Sequence, residues 1–417
     1  MRRALAAALA LLLLGRTAAA DEHMLKIEPP LRENQRAVST LAGTEIKVYP
    51  LALRAGEHAT VTVERQDIEP VVELFDPKNQ RLAEFPADGK SIGPFAASFT
   101  TSTSGTYQLR IHARYLSDAS RGIALRLESV APASAAEVAR FTALVLSTES
   151  EAQVQAGHFD DAVALAEHAL EAAQRGSSGE DEFLAELYYR LGVTQYNRAM
   201  RQPALAALEN ALRIDKAVFG EDGPGTARVL IALGRLYARF NDLPKSEDAL
   251  RRARTLIENA WGADHPWIAD CLQMTAYIHQ LRGDNARALA DINEALAIAR
   301  THPMVDPRRL IHYTDTLADI YVTTEDYEQA QPLLEENLRL AEQNLDRITV
   351  AHSLQNLGII ARDRQQHAQA LDYYWRAEKI REQAYGMAHP FTVSLLVNIG
   401  NVYHDQGDYA HAEEVFQ

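Results

Sequence analysis

A repeated pair of a bulky and a small residue constrains this chain most strongly. The pairs are Leu191-Gly192, Leu233-Gly234, Thr275-Ala276, Leu317-Ala318, Leu357-Gly358 and Ile399-Gly400, and their small residues lie 42, 42, 42, 40 and 42 positions apart. A step of 42 positions back from Gly192 reaches Ser150. A fixed period of this length is typical of stacked supersecondary units, each packed on its neighbours. The sequence therefore predicts a mainly α-helical solenoid over residues 137–417.

Further small residues predict that each unit is a pair of antiparallel helices. Twelve positions after the first small residue stand Ala162, Ala204, Ser246, Ala288, Ala330, Ala370 and Ala412, and seven positions later stand Ala169, Ala211, Ala253, Ala295, Asn337 and Ala377. A large apolar residue lies between them in most units: Leu208, Leu250, Ile292, Leu334, Tyr374 and Phe416. Helices approach closely only where side chains are small, and the bulky residue fills the adjacent hole. Gly283 and Gly407 are expected to supply left-handed turns between helices.

This pattern resembles the tetratricopeptide repeat, whose shorter unit has 34 residues. The proline that ends the shorter unit is absent here, and a linking motif appears instead at 262–266 (Gly-Ala-Asp-His-Pro) and 386–390 (Gly-Met-Ala-His-Pro), with a degraded version at 220–224. These features are similar to the 42-residue kinesin-light-chain-like subclass. The resemblance covers residues 137–417 and implies a right-handed α-solenoid of helical hairpins, with the first helix of every hairpin on its concave wall.

The resemblance also implies a groove that binds an extended peptide. Positions one, four and five places after the small residue, and two or three before it, would face this groove. We expect the following groove residues: Tyr189, Tyr196, Arg235, Arg239, Gln273, Tyr277, Gln355, Asn356, Asn398 and Asn401.

Two of these groove residues, Asn356 and Asn398, occupy the position at which the family's asparagines hold the peptide backbone. Asparagine carries both a donor and an acceptor, so it can pair with a peptide unit whatever the ligand's side chains. The alternative, equally open, is that both asparagines hydrogen-bond neighbouring helices. The other units carry Arg190, Ala232, Met274 and Thr316 at this position, which interrupts the asparagine ladder.

Residues 40–130 alternate between apolar and polar side chains and predict a small all-β sandwich. Apolar residues recur at every second position at Ala59, Val61 and Val63, at Tyr107, Leu109 and Ile111, and at Ile123, Leu125 and Leu127. This spacing buries one face of a strand and exposes the other. The runs 51–56, 72–77 and 104–109 resemble the pre-peptidase C-terminal type domain of exported bacterial proteins. Residues 131–136 are expected to form a linker, and residues 21–39 a flexible N-terminal segment.

The first twenty residues have the features of a signal peptide. Arg2 and Arg3 precede an uncharged run at 4–14, and the small residues 18–20 provide a cleavage site before Asp21. Eleven apolar residues are too few to span a bilayer, which needs about 20. We expect cleavage, export to the periplasm or the extracellular space, and no integral membrane insertion afterwards. An uncleaved N-terminal anchor is the alternative.

The end of the sequence falls inside a predicted hairpin. Gln417 lies one residue past Phe416, which stands at a position that packs on the preceding helix in the other units. Repeat arrays need a terminal cap with a polar outer face. This incomplete hairpin predicts either a fragment of a longer protein or self-association at this end. The domain order resembles the front end of bacterial proteins that carry a caspase-like (CHAT) protease, so an enzyme fragment is the alternative function.

Residue chemistry favours a binding protein over an enzyme. The formal net charge of −15 opposes nucleic acid as a partner of the whole surface. The single cysteine, Cys271, lies among apolar residues, and no phosphate-binding glycine loop is present. His265 and His389 precede prolines in separate units and are interpreted as hydrogen-bonded turn residues rather than metal ligands. We expect no cofactor, no metal and no catalytic residues. A carbohydrate-binding role for the β-sandwich is a weaker alternative, since exposed aromatic residues do not cluster there. The predicted function is an exported scaffold for a protein or peptide partner.

Overall fold

The computed structural model describes residues 25–42, 45–65, 70–85, 94–113, 121–176, 179, 181–301, 307–343, 346–387 and 389–417. The predicted signal peptide, residues 1–20, lies outside these residues. Strands occupy the first part of the described chain and helices the rest. The strands are β1 (Leu25–Ile27), β2 (Arg36–Leu41), β3 (Ile46–Leu53), β4 (Glu57–Arg65), β5 (Pro70–Phe75), β6 (Arg81–Phe85), β7 (Phe95–Thr100), β8 (Gly105–Ala113) and β9 (Arg121–Pro132).

The nine described strands form two sheets. One has the order β1-β3-β8-β5-β6 and the other the order β2-β9-β4-β7. Every pairing between these strands is antiparallel except that of β1 with β3. Tyr49 pairs with Leu109 in the first sheet, and Val61 pairs with Leu127 in the second. Side chains at these positions point to the same face, so the register aligns apolar residues across neighbouring strands.

Both sheets contribute to one hydrophobic core. Val61 and Val63 from one sheet, and Leu109 and Ile111 from the other, are completely buried and belong to a single cluster. The predicted alternation of β4 and β8 is confirmed. Each such side chain stabilises the fold by about 1.5–3 kcal/mol relative to an exposed one.

The sheet region extends beyond both of its predicted limits. Strand β1 and most of β2 lie in the segment 21–39, which the sequence predicts to be flexible. Instead, β1 pairs with β3 and β2 pairs with β9, so both strands belong to the sheets. At the other end, β9 continues to Pro132. Ser134 then begins the first helix with a capping box. Its Oγ accepts from the Glu137 backbone N–H at 3.2 Å, and Glu137 Oε2 accepts from the Ser134 backbone N–H at 2.7 Å. The expected linker at 131–136 is therefore mostly strand and helix cap.

Fourteen helices follow in the described residues and form seven hairpins. They are α1 (Ala135–Ala156), α2 (Phe159–Gly176), α3 (Glu182–Asn197), α4 (Arg201–Phe219), α5 (Pro224–Arg239), α6 (Leu243–Trp261), α7 (Pro266–Leu281), α8 (Asn285–Thr301), α9 (Pro307–Thr323), α10 (Tyr327–Gln343), α11 (Arg347–Asp363), α12 (His367–Tyr385), α13 (Pro390–Asp405) and α14 (Tyr409–Phe416). The mainly α repeat array predicted from the 42-residue period is confirmed.

Small residues hold the two helices of each hairpin close together. A methyl group added at Gly192 would lie 2.7 Å from Leu208, and one added at Gly234 would lie 2.8 Å from Leu250. Ser246 occupies one of the second small positions, and its Oγ donates to the Gly234 carbonyl oxygen at 2.7 Å. These contacts are too short for any larger side chain. The repeating small residues therefore mark the positions at which the two helices touch.

One residue in every hairpin turn adopts a left-handed conformation. These residues are Gly157, Ala199, Asn241, Gly283, Glu325, Gln365 and Gly407, with φ between 60° and 79°. The predicted role of Gly283 and Gly407 is confirmed. Ala199, Glu325 and Gln365 hold the same conformation although their side chains disfavour it, which indicates that hairpin packing imposes the turn.

In the linking motif, a histidine caps the first helix of the next hairpin. His265 lies between Gly262 and Pro266, and its Nδ1 accepts from the Trp267 backbone N–H at 3.3 Å. Its ring stacks on Trp261 with centroids 4.8 Å apart. His389 repeats this arrangement, with Nδ1 accepting from Phe391 at 3.2 Å. The interpretation of both histidines as hydrogen-bonded turn residues is confirmed.

The first hairpin joins the array to the sheets. Phe141, Leu144 and Val145 of α1 pack on the core between the sheets, and Thr148 Oγ1 accepts from the Glu84 backbone N–H at 3.4 Å. Within the described chain, the helices all fall short of the length and apolar character needed to cross a bilayer.

Candidate functional site

The array curves far enough for its first and sixth hairpins to touch, and we call this contact the seam. The ring of Phe159, at the start of α2, stacks on the ring of Tyr385, at the end of α12, with centroids 5.1 Å apart. Arg198, directly after α3, donates from Nη1 to the Tyr385 carbonyl oxygen at 3.4 Å. The seam therefore joins parts of the solenoid that the chain separates by 187 positions.

A second contact across the curve shows which helices lie on its inside. The guanidinium carbon of Arg239, at the end of α5, lies 4.7 Å from the ring centroid of Phe391, at the start of α13. Three hairpins separate α5 from α13 along the array. The first helices of neighbouring hairpins also contact one another along the whole array, which indicates that the first helices form the inner wall.

Charged side chains bridge neighbouring helices at the N-terminal end of the inner wall. Glu186 of α3 pairs with Arg228 of α5 and, at 2.8 Å, with Arg190 of its own helix. Arg190 also pairs with Glu151 of α1 at 3.0 Å. Burial opposes the charge of Arg190, but Glu151 and Glu186 outweigh it and raise the pKa of Arg190. These pairs connect three successive hairpins.

Asp270 is the centre of the next cluster along the wall. It is nearly buried and accepts from Arg309 Nη1 at 2.8 Å and from the Tyr313 hydroxyl at 2.8 Å, both on α9. Arg235 of α5 approaches it at 3.4 Å. Burial and the neighbouring Asp270 raise the pKa of Tyr313, which keeps its hydroxyl protonated and able to donate.

His352 of α11 lies between two carboxylates of α9. Its Nδ1 is 3.7 Å from Asp315 Oδ2 and its Nε2 is 3.4 Å from Asp319 Oδ2. Asn337 donates to Asp315 at 2.6 Å, and Asn356 donates to Asp319 at 2.5 Å. Asp319 in particular raises the pKa of His352 well above its ordinary value, so the imidazole is cationic at neutral pH.

Several predicted groove residues are engaged in contacts between helices. Tyr189 lies beneath Arg228 at 4.0 Å. Arg239 lies over the ring of Tyr196 at 4.8 Å and donates to its carbonyl oxygen at 2.9 Å. Gln273 donates to Thr316 of α9 at 2.9 Å. For Asn356, the bond to Asp319 matches the alternative in which this asparagine joins neighbouring helices.

The remaining predicted groove residues are less constrained. Tyr277 is half-buried, and burial raises the pKa of its hydroxyl. Gln355, Asn398 and Asn401 are also half-buried, and their side-chain amides have no hydrogen-bond partner within the described ranges. These three amides are therefore available to a ligand. Whether any groove residue binds one stays a prediction.

The sequence analysis missed several wall residues. Asp315 and Asp319 stand three places before and one place after Ala318, at positions that the repeat register assigns to the groove, so the register could have found them. His352 stands six places before Gly358, outside that register. Tyr385 and Phe391 flank His389 in the linking motif, and no sequence signal points to their contact across the curve.

Two other kinds of candidate site are a nucleophilic cysteine and a metal site. Cys271 is buried, and burial raises the pKa of its thiol to about 12, so the thiol is not activated as a nucleophile. Over the ranges that the structure describes, no group of three His, Cys, Asp or Glu side chains, that of His352 with Asp315 and Asp319 included, is arranged to hold a metal ion.

Comparison with known proteins identifies the repeat. Residues 183–259, 309–383 and 350–417 match the family model described as tetratricopeptide repeat. No protein of curated function matches the sequence significantly. The array of hairpins therefore contains tetratricopeptide repeats.

One solved structure, with a TM-score above 0.5, agrees with this assignment at the level of the fold. The Rap conjugation gene regulator of the plasmid pLS20, solved in complex with the Phr* peptide, superposes with a TM-score of 0.55 at 15% identity, over 66% of this chain and 72% of that one. BtubC (BKLC) from P. vanneervenii is similar at a TM-score of 0.39 and 19% identity, over 53% of this chain and 87% of that one. Kinesin light chain TPR-like repeats of Podosopora anserina are similar at a TM-score of 0.36 and 17% identity, over 46% of this chain and 92% of that one.

The resemblances to the pre-peptidase C-terminal domain and to CHAT proteins gain no support from these comparisons. The chain thus has a repeat fold typical of protein-interaction scaffolds, with sheets of unassigned role.

Proposed function

We propose that this chain is an exported scaffold that binds a peptide or protein segment in the concave groove of its repeat array. The observation that carries the proposal is the set of unpaired, half-buried amides of Gln355, Asn398 and Asn401 on α11 and α13. A half-buried amide without a partner can exchange water for the backbone of an extended ligand.

The remainder of the inner wall supports the same function. Tyr189, Tyr196 and Tyr277 provide aromatic surface, and Arg235 provides a partly exposed cation. Aromatic and arginine side chains contribute most of the free energy at protein interfaces. The polar pairs between the helices hold these side chains in place, so a ligand would meet a wall that is already ordered.

Similarity to other proteins adds to the argument. The Rap regulator that superposes on this array was solved with a peptide bound. Proteins built from tetratricopeptide repeats are generally non-catalytic scaffolds, which agrees with the proposal of a binding protein rather than an enzyme. The predicted signal peptide at residues 1–20 supports export to the periplasm or the extracellular space.

A photo-crosslinking residue placed in the wall tests this function. The crosslinker replaces Gln355 in the full chain, which is then exposed to the proteins of the exported fraction and analysed by mass spectrometry. We expect a crosslinked peptide that an excess of unlabelled protein removes. The matched control replaces Arg376, an exposed residue of the outer helix α12. Equal crosslinking at both positions would contradict recognition in the groove.

A further inference from the structure

Three nitrogen-bearing side chains from different elements meet around the ring of Phe391. The guanidinium carbon of Arg239 lies 4.7 Å from its centroid, and that of Arg381, on α12, lies 5.5 Å away. The centroid of the His389 ring lies 5.0 Å from the same point. Arg381 is only 8% exposed. The contact between α5 and α13, beside the seam, thus brings two arginines and a histidine together at an aromatic ring.

The two arginines are not neutralised locally. No carboxylate oxygen lies within 4.0 Å of the Arg239 or Arg381 guanidinium in the described part of the chain. Arg239 donates to the Tyr196 carbonyl oxygen, and Arg381 donates to that of Phe391 at 3.0 Å. Arg198 nearby differs, because it pairs with Asp160 at 2.6 Å. A buried cation without a counterion destabilises the fold, so this arrangement requires an explanation.

Two buried N–H groups of the side chains around this ring also lack an acceptor. They are Arg239 Nη2 and His389 Nε2, neither of which has a hydrogen-bond partner among the residues described. His389 Nδ1 accepts from the Phe391 backbone N–H, so a neutral imidazole carries its proton on Nε2. Buried polar atoms are almost always paired, and an unpaired cluster of donors indicates a site for an acceptor.

Burial and nearby charges shift the pKa values of His389 and Arg381. Burial, with Arg239, Arg198 and Arg381 nearby, lowers the pKa of His389, so the imidazole is neutral at pH 7. Burial also lowers the pKa of Arg381 to about 10, although Tyr385 and Asp319 oppose the shift. The three arginines therefore make the electrostatic potential at His389 positive, in a chain whose net charge is −15.

We propose that Arg239, Arg381 and His389 form an oxyanion subsite beside the seam, which takes a carboxylate or a phosphate group. The oxyanion would accept hydrogen bonds from Arg239 Nη2 and His389 Nε2 and balance the charge of both arginines. Hydrogen bonds between guanidinium groups and oxyanions are among the stronger ones in proteins. The subsite stands independently of peptide binding in the groove, and its test needs no peptide.

Thermal unfolding of the full chain with inorganic phosphate, sulfate or acetate tests the proposal, with sodium chloride at equal ionic strength as the reference. Phosphate is expected to raise the melting temperature by about 2–4 °C at saturating concentration. Isothermal titration calorimetry then gives the stoichiometry, which should be one. A shift with acetate as well identifies a carboxylate site, and a shift with phosphate and sulfate alone identifies a site for dianions.

Variants at the subsite connect the shift to these residues. Arg239→Met and Arg381→Met should lose most of the phosphate shift, and His389→Gln, which keeps an amide donor, should lose less. The matched control is Arg362→Met, because Arg362 bonds Asp405 at 2.7 Å away from the seam. It should retain the full shift. If Arg381→Met fails to fold, the other two variants still decide the matter. The absence of any shift above chloride in the parent, or an unchanged shift in Arg239→Met, would overturn the proposal.

Discussion

The ring of Phe159 stacks on the ring of Tyr385 at an angle of 18°, which closes the curve of the array between its first and sixth hairpins. Both residues are nearly buried. The last turn of α12 is therefore held against the first hairpin, and the inner wall is limited on one side by the seam. A ligand on this wall has to fit within the closed curve or separate the seam.

Removal of the stacked ring should open the array. Phe159→Ala deletes a buried phenyl group and is expected to destabilise the protein by about 3–5 kcal/mol in chemical denaturation. The radius of gyration from small-angle X-ray scattering should increase, because the seam no longer holds α2 to α12. Tyr409→Ala, at a largely exposed aromatic residue, is the control and should change neither quantity. An unchanged radius of gyration in a destabilised Phe159→Ala protein would show that the other seam contacts suffice.

The small residues between the helices should not tolerate enlargement. Ala288→Leu and Ala330→Leu each place a larger side chain in a completely buried contact and should cost about 1–3 kcal/mol. Ala290→Leu is a matched control, because Ala290 is an exposed residue of the same helix as Ala288. Its free energy of unfolding should stay within about 0.5 kcal/mol of that of the parent. Equal midpoints for all three variants would mean that the helices can separate at little cost.

Glycine should stabilise a strained turn. Glu325 has a φ of 60°, where the homologous residues Gly283 and Gly407 have 76°. Glu325→Gly relieves a left-handed conformation that costs a non-glycine residue about 1 kcal/mol, and part of this gain is offset by the greater freedom of glycine in the unfolded chain. We expect a net gain of about 0.5 kcal/mol in the free energy of unfolding. Glu328→Gly, at a helical position three residues later, should instead destabilise. A loss of stability in both variants would disprove the argument.

Stability should depend on pH through His352. The carboxylates of Asp319 and Asp315 raise the pKa of His352 in the folded state above its unfolded value of about 6.5. The resulting stabilisation is fully present below that value and is lost as the pH rises through the folded-state pKa. His352→Gln should therefore be more destabilising at pH 6 than at pH 9.5. The measurement is the difference in the free energy of unfolding from the parent at both pH values. A difference independent of pH would contradict a charged His352.

The sequence predicted the helical part of this fold well because its information is local and repeated. Gly192 with Leu208, and Gly234 with Leu250, are pairs whose spacing a period reveals directly. The seam could not be predicted in this way, because it depends on small rotations that add up over five hairpins. Ala199 and Glu325 likewise show no turn signal, since the surrounding helices rather than their own preferences determine their conformation. The pairs that Asp270 and His352 make with α9 each occur once in the described array, so the period does not predict them.

Asn356 and Asn398 share one position in the repeat, yet the structure gives them different surroundings. Asn356 donates to Asp319 of the preceding first helix at 2.5 Å. The residue that corresponds to Asp319 in the next unit is Ile359, which cannot accept a hydrogen bond. The amide of Asn398 consequently has no hydrogen-bond partner in the ranges that the structure describes. Asn356 therefore joins neighbouring helices, as one of the two alternatives expected, while peptide binding by Asn398 stays a prediction.

The matched variants Asn356→Ala and Asn398→Ala test this difference. Asn356→Ala removes a charge-assisted hydrogen bond and leaves the carboxylate of Asp319 with one partner fewer, so it should cost about 1.5–3 kcal/mol of stability. Asn398→Ala should change stability by no more than about 0.5 kcal/mol, because no bond within the protein is lost.

If a peptide occupies the groove, Asn398→Ala should weaken its binding without changing the melting temperature, and added salt should not alter that loss. Paired changes at Arg235 and Arg239 should weaken binding in a manner that salt reduces, since each guanidinium would make a charge-assisted contact with the ligand. Equal stability of the two asparagine variants would show that the Asn356 bond contributes nothing, and unchanged binding by Asn398→Ala would place recognition elsewhere on the molecule.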